Sequence, residues 1–169
     1  MATNPSLKIF HANAKGTGCA MEITLCPAHD ECEGAIVMRL AEQMTIGGRR
    51  TDPSVYPEFN WDNAASIRLC FPDLTEIVRV FRGETESIND GNGLFHHTAD
   101  RSQVIKFCHV IEPVCGYCID VYEERNGGDH HTWHMFLSPP EALGVCLAIE
   151  NSFGAIVFGS PVIKQGGAE

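Results

Sequence analysis

The chain opens with alternating apolar and polar positions, the two-residue period of strands whose faces differ in environment. Leu7 to Asn13 and Thr17 to Cys26 read this way. In the second segment Cys19, Met21, Ile23 and Leu25 lie on one side, and Ala20, Glu22, Thr24 and Cys26 on the other. Lys15-Gly16 marks the bend between them. After the turn-like run from Cys26 to Gly34, a third strand is expected from Ala35 to about Thr45. There Val37, Arg39, Ala41 and Gln43 oppose Ile36, Met38, Leu40 and Glu42, and the pattern does not say which set faces inward. Gly47 to Glu58 contains two glycines, two arginines and two prolines, a loop composition. A fourth strand follows at about Phe59 to Phe71.

The period then changes. Asp73, with Glu76 three residues on, reads as a capping-box start, and Leu74, Ile77, Val78 and Phe81 form an apolar stripe at helical spacing that Gly83 ends. The second half repeats the order. Strands are expected at Glu86 to His97, interrupted by the turn signal Asn89-Asp-Gly-Asn-Gly93, then at Gln103 to Ile111, Tyr117 to Glu124 and His130 to Leu137. Asn126-Gly127 marks a hairpin turn. Ser138 then caps a second helix with Pro139 in its first position and Glu141 reaching back, and Leu143, Cys146, Leu147, Ile149, Phe153 and Ile156 supply its apolar stripe. The pattern is ββββα twice, an α+β class with antiparallel sheets, because hairpin-length links join neighbouring strands. It is read as a single domain over 1–169. The first repeat covers about 7–84, the second about 85–159, and 160–169 is a loose tail.

Composition narrows the classes. Hydrophobic residues make up 44% of the 169 and charged residues 20%, ordinary for one globular domain. No run approaches the roughly 18 consecutive apolar residues of a membrane span, and the first residues lack a basic stretch followed by an apolar one, so no membrane partner is expected. Eight cysteines without a secretory signal read as reduced thiols, which points to the cytoplasm. The net charge of −10 weighs against a nucleic-acid partner, which usually meets a basic footprint. A local basic patch with aromatic rings can still serve, since base stacking ignores net charge.

By alternation the outward set includes Thr24, Arg39, Gln43, Arg68, Lys106 and Tyr122, with Lys15 and Trp61 at strand entries. Cations for phosphates and rings for bases are the equipment of sequence-tolerant single-strand binders, so Lys15, Arg39, Trp61, Arg68, Lys106 and Tyr122 are the candidate site. Glu22, Asp120 and Glu124 alternate onto the same faces, as on an ordinary solvated sheet. His130, Thr132 and His134 share a strand face beside Asp129, and Cys26, His29 and Cys32 share a loop, but neither spacing matches a closed metal site. Cys115-Gly-Tyr-Cys118 has redox-motif spacing yet precedes a strand rather than opening a helix. No phosphate loop, nucleophile elbow or His-Glu-x-x-His helix is present, so no enzyme activity, cofactor or metal is expected.

Several short runs then fall into one register. Lys15-Gly16 leading into the Ala20 strand, Phe59-Asn60-Trp61, Thr75-Glu76-Ile77, Gly83, Ser87, His97, Glu112-Pro113 and the Glu141 helix ending near Gly159 resemble, in order and spacing, the motifs of the Whirly family of single-stranded-DNA-binding proteins. The trypanosome mitochondrial guide-RNA-binding proteins of the same fold are more distantly similar. The match departs at Thr17, where the family has a second lysine, and at Thr98-Ala99, where it has Asp-Pro. The resemblance implies two roughly perpendicular sheets flanked by helices and single strands held along sheet edges, DNA ahead of RNA. It also implies a homo-oligomer, a tetramer built through the helices. The exposed apolar content of the second helix independently suggests self-association. Two alternatives remain open: an interaction protein that kept the scaffold without the ligand, and a metal- or small-ligand-binding domain.

Overall fold

In the computed structural model, which describes residues 6–48, 52 and 54–159, the chain forms two antiparallel four-stranded sheets, each followed in sequence by a helix. The first sheet runs in sequence order through β1 (Ser6–His11), β2 (Cys19–Cys26), β3 (Ala35–Glu42) and β4 (Ala65–Leu69), then α1 (Phe71–Phe81). A 3-10 turn at Ile88–Gly91 leads into the second sheet: β5 (Leu94–His97), β6 (Arg101–Val110), β7 (Gly116–Arg125) and β8 (Asp129–Leu137). The 20-residue α2 (Pro139–Phe158) closes the described chain. Consecutive strands pair because each link is short enough to fold back as a hairpin.

Register decides the faces that alternation left open. Met21 lies between Ile9 and Leu40, and Met38 between Ile23 and Ile67, so Ile36, Met38 and Leu40 point inward with Ile67 and Leu69. The second sheet contributes Ile105, Phe107, Ile119, Val121, Trp133, Met135 and Leu137 to the same core, and both helices pack into it. The sheets also meet directly: Gln103 on β6 donates from Nε2 to the Ser66 carbonyl at 3.4 Å and to Glu123 at 2.6 Å.

Four expectations need correction. The fourth strand is five residues long, and Phe59 makes only an isolated bridge to Gln43, because Asn60 and Trp61 turn away before pairing resumes at Ala65. α1 starts earlier than Asp73. Its cap is Cys70, whose amide donates to Asp73 Oδ2 at 3.0 Å, while Glu76 pairs with Arg79 instead. Pro72 fits the first turn without cost, since that amide has no helical partner. No strand begins at Glu86; Asn89 and Asp90 adopt left-handed φ of 48° and 52°, tightening a turn that leaves β5 four residues long. In α2 the buried side is Ala142, Val145, Cys146, Ile149 and Ile156, whereas Leu143 and Leu147 face solvent. The α2 cap is as expected: Glu141 Oε2 accepts from the Ser138 amide at 2.9 Å and its hydroxyl at 2.6 Å. The tail 160–169 lies outside the described residues.

By length and mean hydropathy, 1.5, α2 is apolar enough to cross a membrane. In this fold it is the helix that covers both sheets and α1, which accounts for its inner apolar side.

Each first strand is tied to the other repeat's helix. His11 on β1 contacts Glu141 of the α2 cap at 2.7 Å, and His96 on β5 contacts Asp73 of the α1 cap at 3.3 Å. Burial pushes Asp73 and Glu141 up, but the imidazoles and the capping amides outweigh it and hold both below their ordinary values.

Candidate nucleic-acid interface

The outer face of the first sheet follows from its pleat. Lys8, Glu22, Arg39 and Ser66 form one row across the four strands, and Ser6, Thr24, Val37 and Arg68 form the next. Lys8 Nζ reaches Glu22 Oε1 at 3.1 Å and Arg39 reaches Glu22 Oε2 at 3.3 Å, so one carboxylate sits between two cations. Burial pushes Glu22 up, but Lys8, Ser6 and Arg39 outweigh it and hold the carboxyl below its ordinary value. The Trp61 ring closes the arrangement, with Lys8 Nζ 5.7 Å and the Arg39 guanidinium 5.3 Å from its centroid. Arg39 also donates to the Trp61 carbonyl, which fixes the loop that carries the ring. Beside it Phe10, 53% exposed, packs on Phe59 at 5.6 Å. Two cations and three rings therefore lie together on the outer side of the first sheet, Lys8 and Phe10 exposed and Arg39, Phe59 and Trp61 half-buried.

The six expected site residues do not form one surface. Arg39 and Trp61 meet as described. Arg68 shares their face one row away and donates to the Glu33 carbonyl. Lys15 is exposed in the β1–β2 turn, where its amide bonds Asn13. Lys106 and Tyr122 belong to the other sheet, on its outer face, with the ammonium 5.9 Å from the ring. Gln43, expected outward, is buried: its amide oxygen accepts from Asn13 and Gly18 and its nitrogen donates to Asn13 and Thr45, knotting the end of β3 to the first turn. Lys8, Phe10 and Phe59 were missed. The alternation of β1 carried the signal, but only register shows that Lys8 stands opposite Glu22.

The histidine and cysteine groupings have other surroundings. His134 pairs with Asp120 at 2.6 Å, and His131 pairs with Glu42 at 3.1 Å. Cys115 Sγ lies 3.7 Å from His109 in the β6–β7 turn, and burial pushes the Cys19 thiol up to about 12, beyond reactivity at neutral pH. Among the described residues no three His, Cys, Asp or Glu side chains are placed to hold a metal ion.

By sequence, no protein-family model matches the chain and no curated protein matches it. Solved structures do. WHY1 from Arabidopsis thaliana superposes with a TM-score of 0.72 over 94% of this chain and 88% of its own, at 11% identity. The fold is of the Whirly type. A plant transcriptional regulator, PBF-2, matches at 0.71 with 11% identity over 92% of this chain and 84% of its own. MRP1/MRP2 from Trypanosoma bruciei matches at 0.62 with 12% identity over 90% and 85%. At these identities the Whirly fold is what the likeness carries, and the side chains on its faces are this chain's own.

Proposed function

We propose that the outer face of the first sheet binds single-stranded nucleic acid, DNA ahead of RNA, with no catalytic step. The observation that carries this reading is the half-buried Trp61 ring with Lys8 and Arg39 both against it, and Phe10 and Phe59 alongside. Rings stack on any base and cations follow any phosphate, so the surface suits a strand without demanding a sequence. A Whirly-type fold shared with a transcriptional regulator is compatible with such a role. Titration of labelled single-stranded oligonucleotides is the test. Affinity should fall between about 50 and 200 mM salt, because phosphate contacts release counterions. Absence of binding at the lower salt removes the reading.

We further infer a homo-oligomer, a tetramer by analogy of fold, assembled through α2. Its outward side carries Leu143, Leu147, Val157 and the 87%-exposed Phe158, with open space beside Gly144 and Gly154. An apolar strip of this length is a docking surface rather than a solvated one. Leu147→Lys should reduce the particle mass by light scattering, and an 18.5 kDa particle for the unmodified chain across dilution contradicts the assembly. The eight unpaired thiols suit a reducing compartment such as the cytoplasm. A second reading, an interaction protein on the same scaffold, is favoured by the net charge of −10 and by Glu22, which already engages both platform cations.

A further inference from the structure

Where the C-terminal end of α2 meets the β2–β3 loop and the start of α1, a groove of about 560 Å³ opens. Backbone contacts fix its walls. The Ala28 amide donates to the Ala155 carbonyl at 3.0 Å and the Gly34 amide to that of Ile156 at 3.2 Å, so the loop grips the last turns of the helix. Glycine at 34 permits that approach, since a Cβ there meets the Ile156 carbonyl oxygen at 2.5 Å. The floor is apolar and open. Ile156 is buried, but Phe71 and Val157 stay 45% and 47% exposed, even though the Phe71 ring packs edge-on against Phe153 at 5.3 Å. The rim is acidic. Asp30, Glu31 and Glu33 stand on it exposed, and none forms an ion pair among the described residues; Arg68 donates to the Glu33 carbonyl instead.

Exposed acids alone are a solvated edge, and an apolar floor alone does not name what covers it. The course of the chain names an occupant. α2 ends at Phe158, and Gly159, two residues beyond Val157 of the floor, takes a left-handed φ of 77° close against the Ala28 carbonyl. From there the sequence continues Ser160-Pro161-Val162-Ile163-Lys164. Pro161 bars a further helical turn, and Ile163, four residues past Gly159, can lie at most roughly 14 Å from it. Three consecutive apolar residues followed by a cation match an apolar floor with an acidic rim. We propose that residues 161–164 of the same chain occupy this groove, their apolar side chains over Phe71, Ile156 and Val157 and the Lys164 ammonium against the carboxylates of the β2–β3 loop. The contact fastens the end of α2 to the start of α1, and it is independent of strand binding on the first sheet.

Cys32, an exposed thiol in the groove wall, reports occupancy, and Cys115, an exposed thiol of the β6–β7 turn, is the reference. Alkylation of the full chain by iodoacetamide is followed at each cysteine by mass spectrometry. Relative to the unmodified chain, Ile163→Asp should speed labelling of Cys32 about tenfold, because a buried apolar side chain is lost. Lys164→Glu should speed it about two- to fivefold, the scale of a surface ion pair that salt screens. Cys115 should label at one rate in all three proteins, and buried Cys19 should stay unlabelled, which shows the fold intact. In the unmodified chain a carbodiimide should join the Lys164 amine to Asp30, Glu31 or Glu33 within a single chain. A Cys32 rate unaltered in Ile163→Asp, the absence of that cross-link, or a cross-link found only between two chains overturns the assignment.

Discussion

The two sheets have the same strand order and pairing, but their outer faces differ in charge and in how their aromatic rings are placed. The first sheet sets three cations, Lys8, Arg39 and Arg68, against one carboxylate, Glu22, and places an aromatic ring against two of the cations. The second sets one cation, Lys106, against Asp120 and Glu124, and spreads Phe95 and Tyr122 on separate strands, with His97, His130 and His134 around them. A chain of net charge −10 has thus kept one locally basic face. The physical lesson is that a nucleic-acid footprint is a property of a face at about a Debye length, roughly 8–10 Å, rather than of the whole protein.

The largest expected effect tests the core that both faces share. Trp133 is buried under the second sheet beside the first, so Trp133→Ala should cost about 3–5 kcal/mol of stability by denaturant unfolding. Trp61 should behave in the opposite way. Trp61→Ala should weaken oligonucleotide binding by about 1–3 kcal/mol with little change in salt slope, while Tyr122→Ala on the other face leaves affinity unaltered. Equal losses from the two would erase the distinction between the faces. Next come the cations: Lys8→Ala and Arg39→Ala should each flatten the slope of log affinity against log salt by about one unit, and Lys106→Ala should not.

The smallest effect concerns the symmetric ties that hold each edge strand. Asp73→Asn keeps an oxygen that can accept from the Cys70 amide but removes the negative charge at the α1 start and the ion pair with His96, and should cost about 1 kcal/mol at neutral pH. Because the Asp73 carboxyl is held below its ordinary 3.8, the unfolded chain binds more protons as pH falls through that value. The wild-type advantage over Asp73→Asn should therefore be complete above about pH 4–5 and vanish as pH drops through the lower folded-state value. Acid unfolding of the two proteins side by side checks the sign. A difference that grows on acidification contradicts it.

Much of the fold was legible along the chain. Strand period, the Asn126-Gly127 turn and the Ser138-Pro139-Glu141 start are local, and local sterics and hydrogen bonds write them into adjacent residues. The start of α1 was misplaced because Cys70 is not a residue that advertises a cap, and the inner side of α2 was misassigned because apolar residues surround that helix almost entirely.

What sequence alone determined, then, was the type and order of the elements and the presence of cations and rings at alternating positions. Which of them meet was decided by register and by the turn at Asn60, across separations such as Lys8 to Trp61. A one-residue slip in pairing would send Lys8 and Arg39 to the opposite face, and no local pattern specifies pairing between distant strands. The same holds for Glu42 and His131, whose contact joins the two sheets. Packing of two half-buried sheets against shared helices selects one register because only that one buries Met21, Met38, Ile67 and Trp133 together.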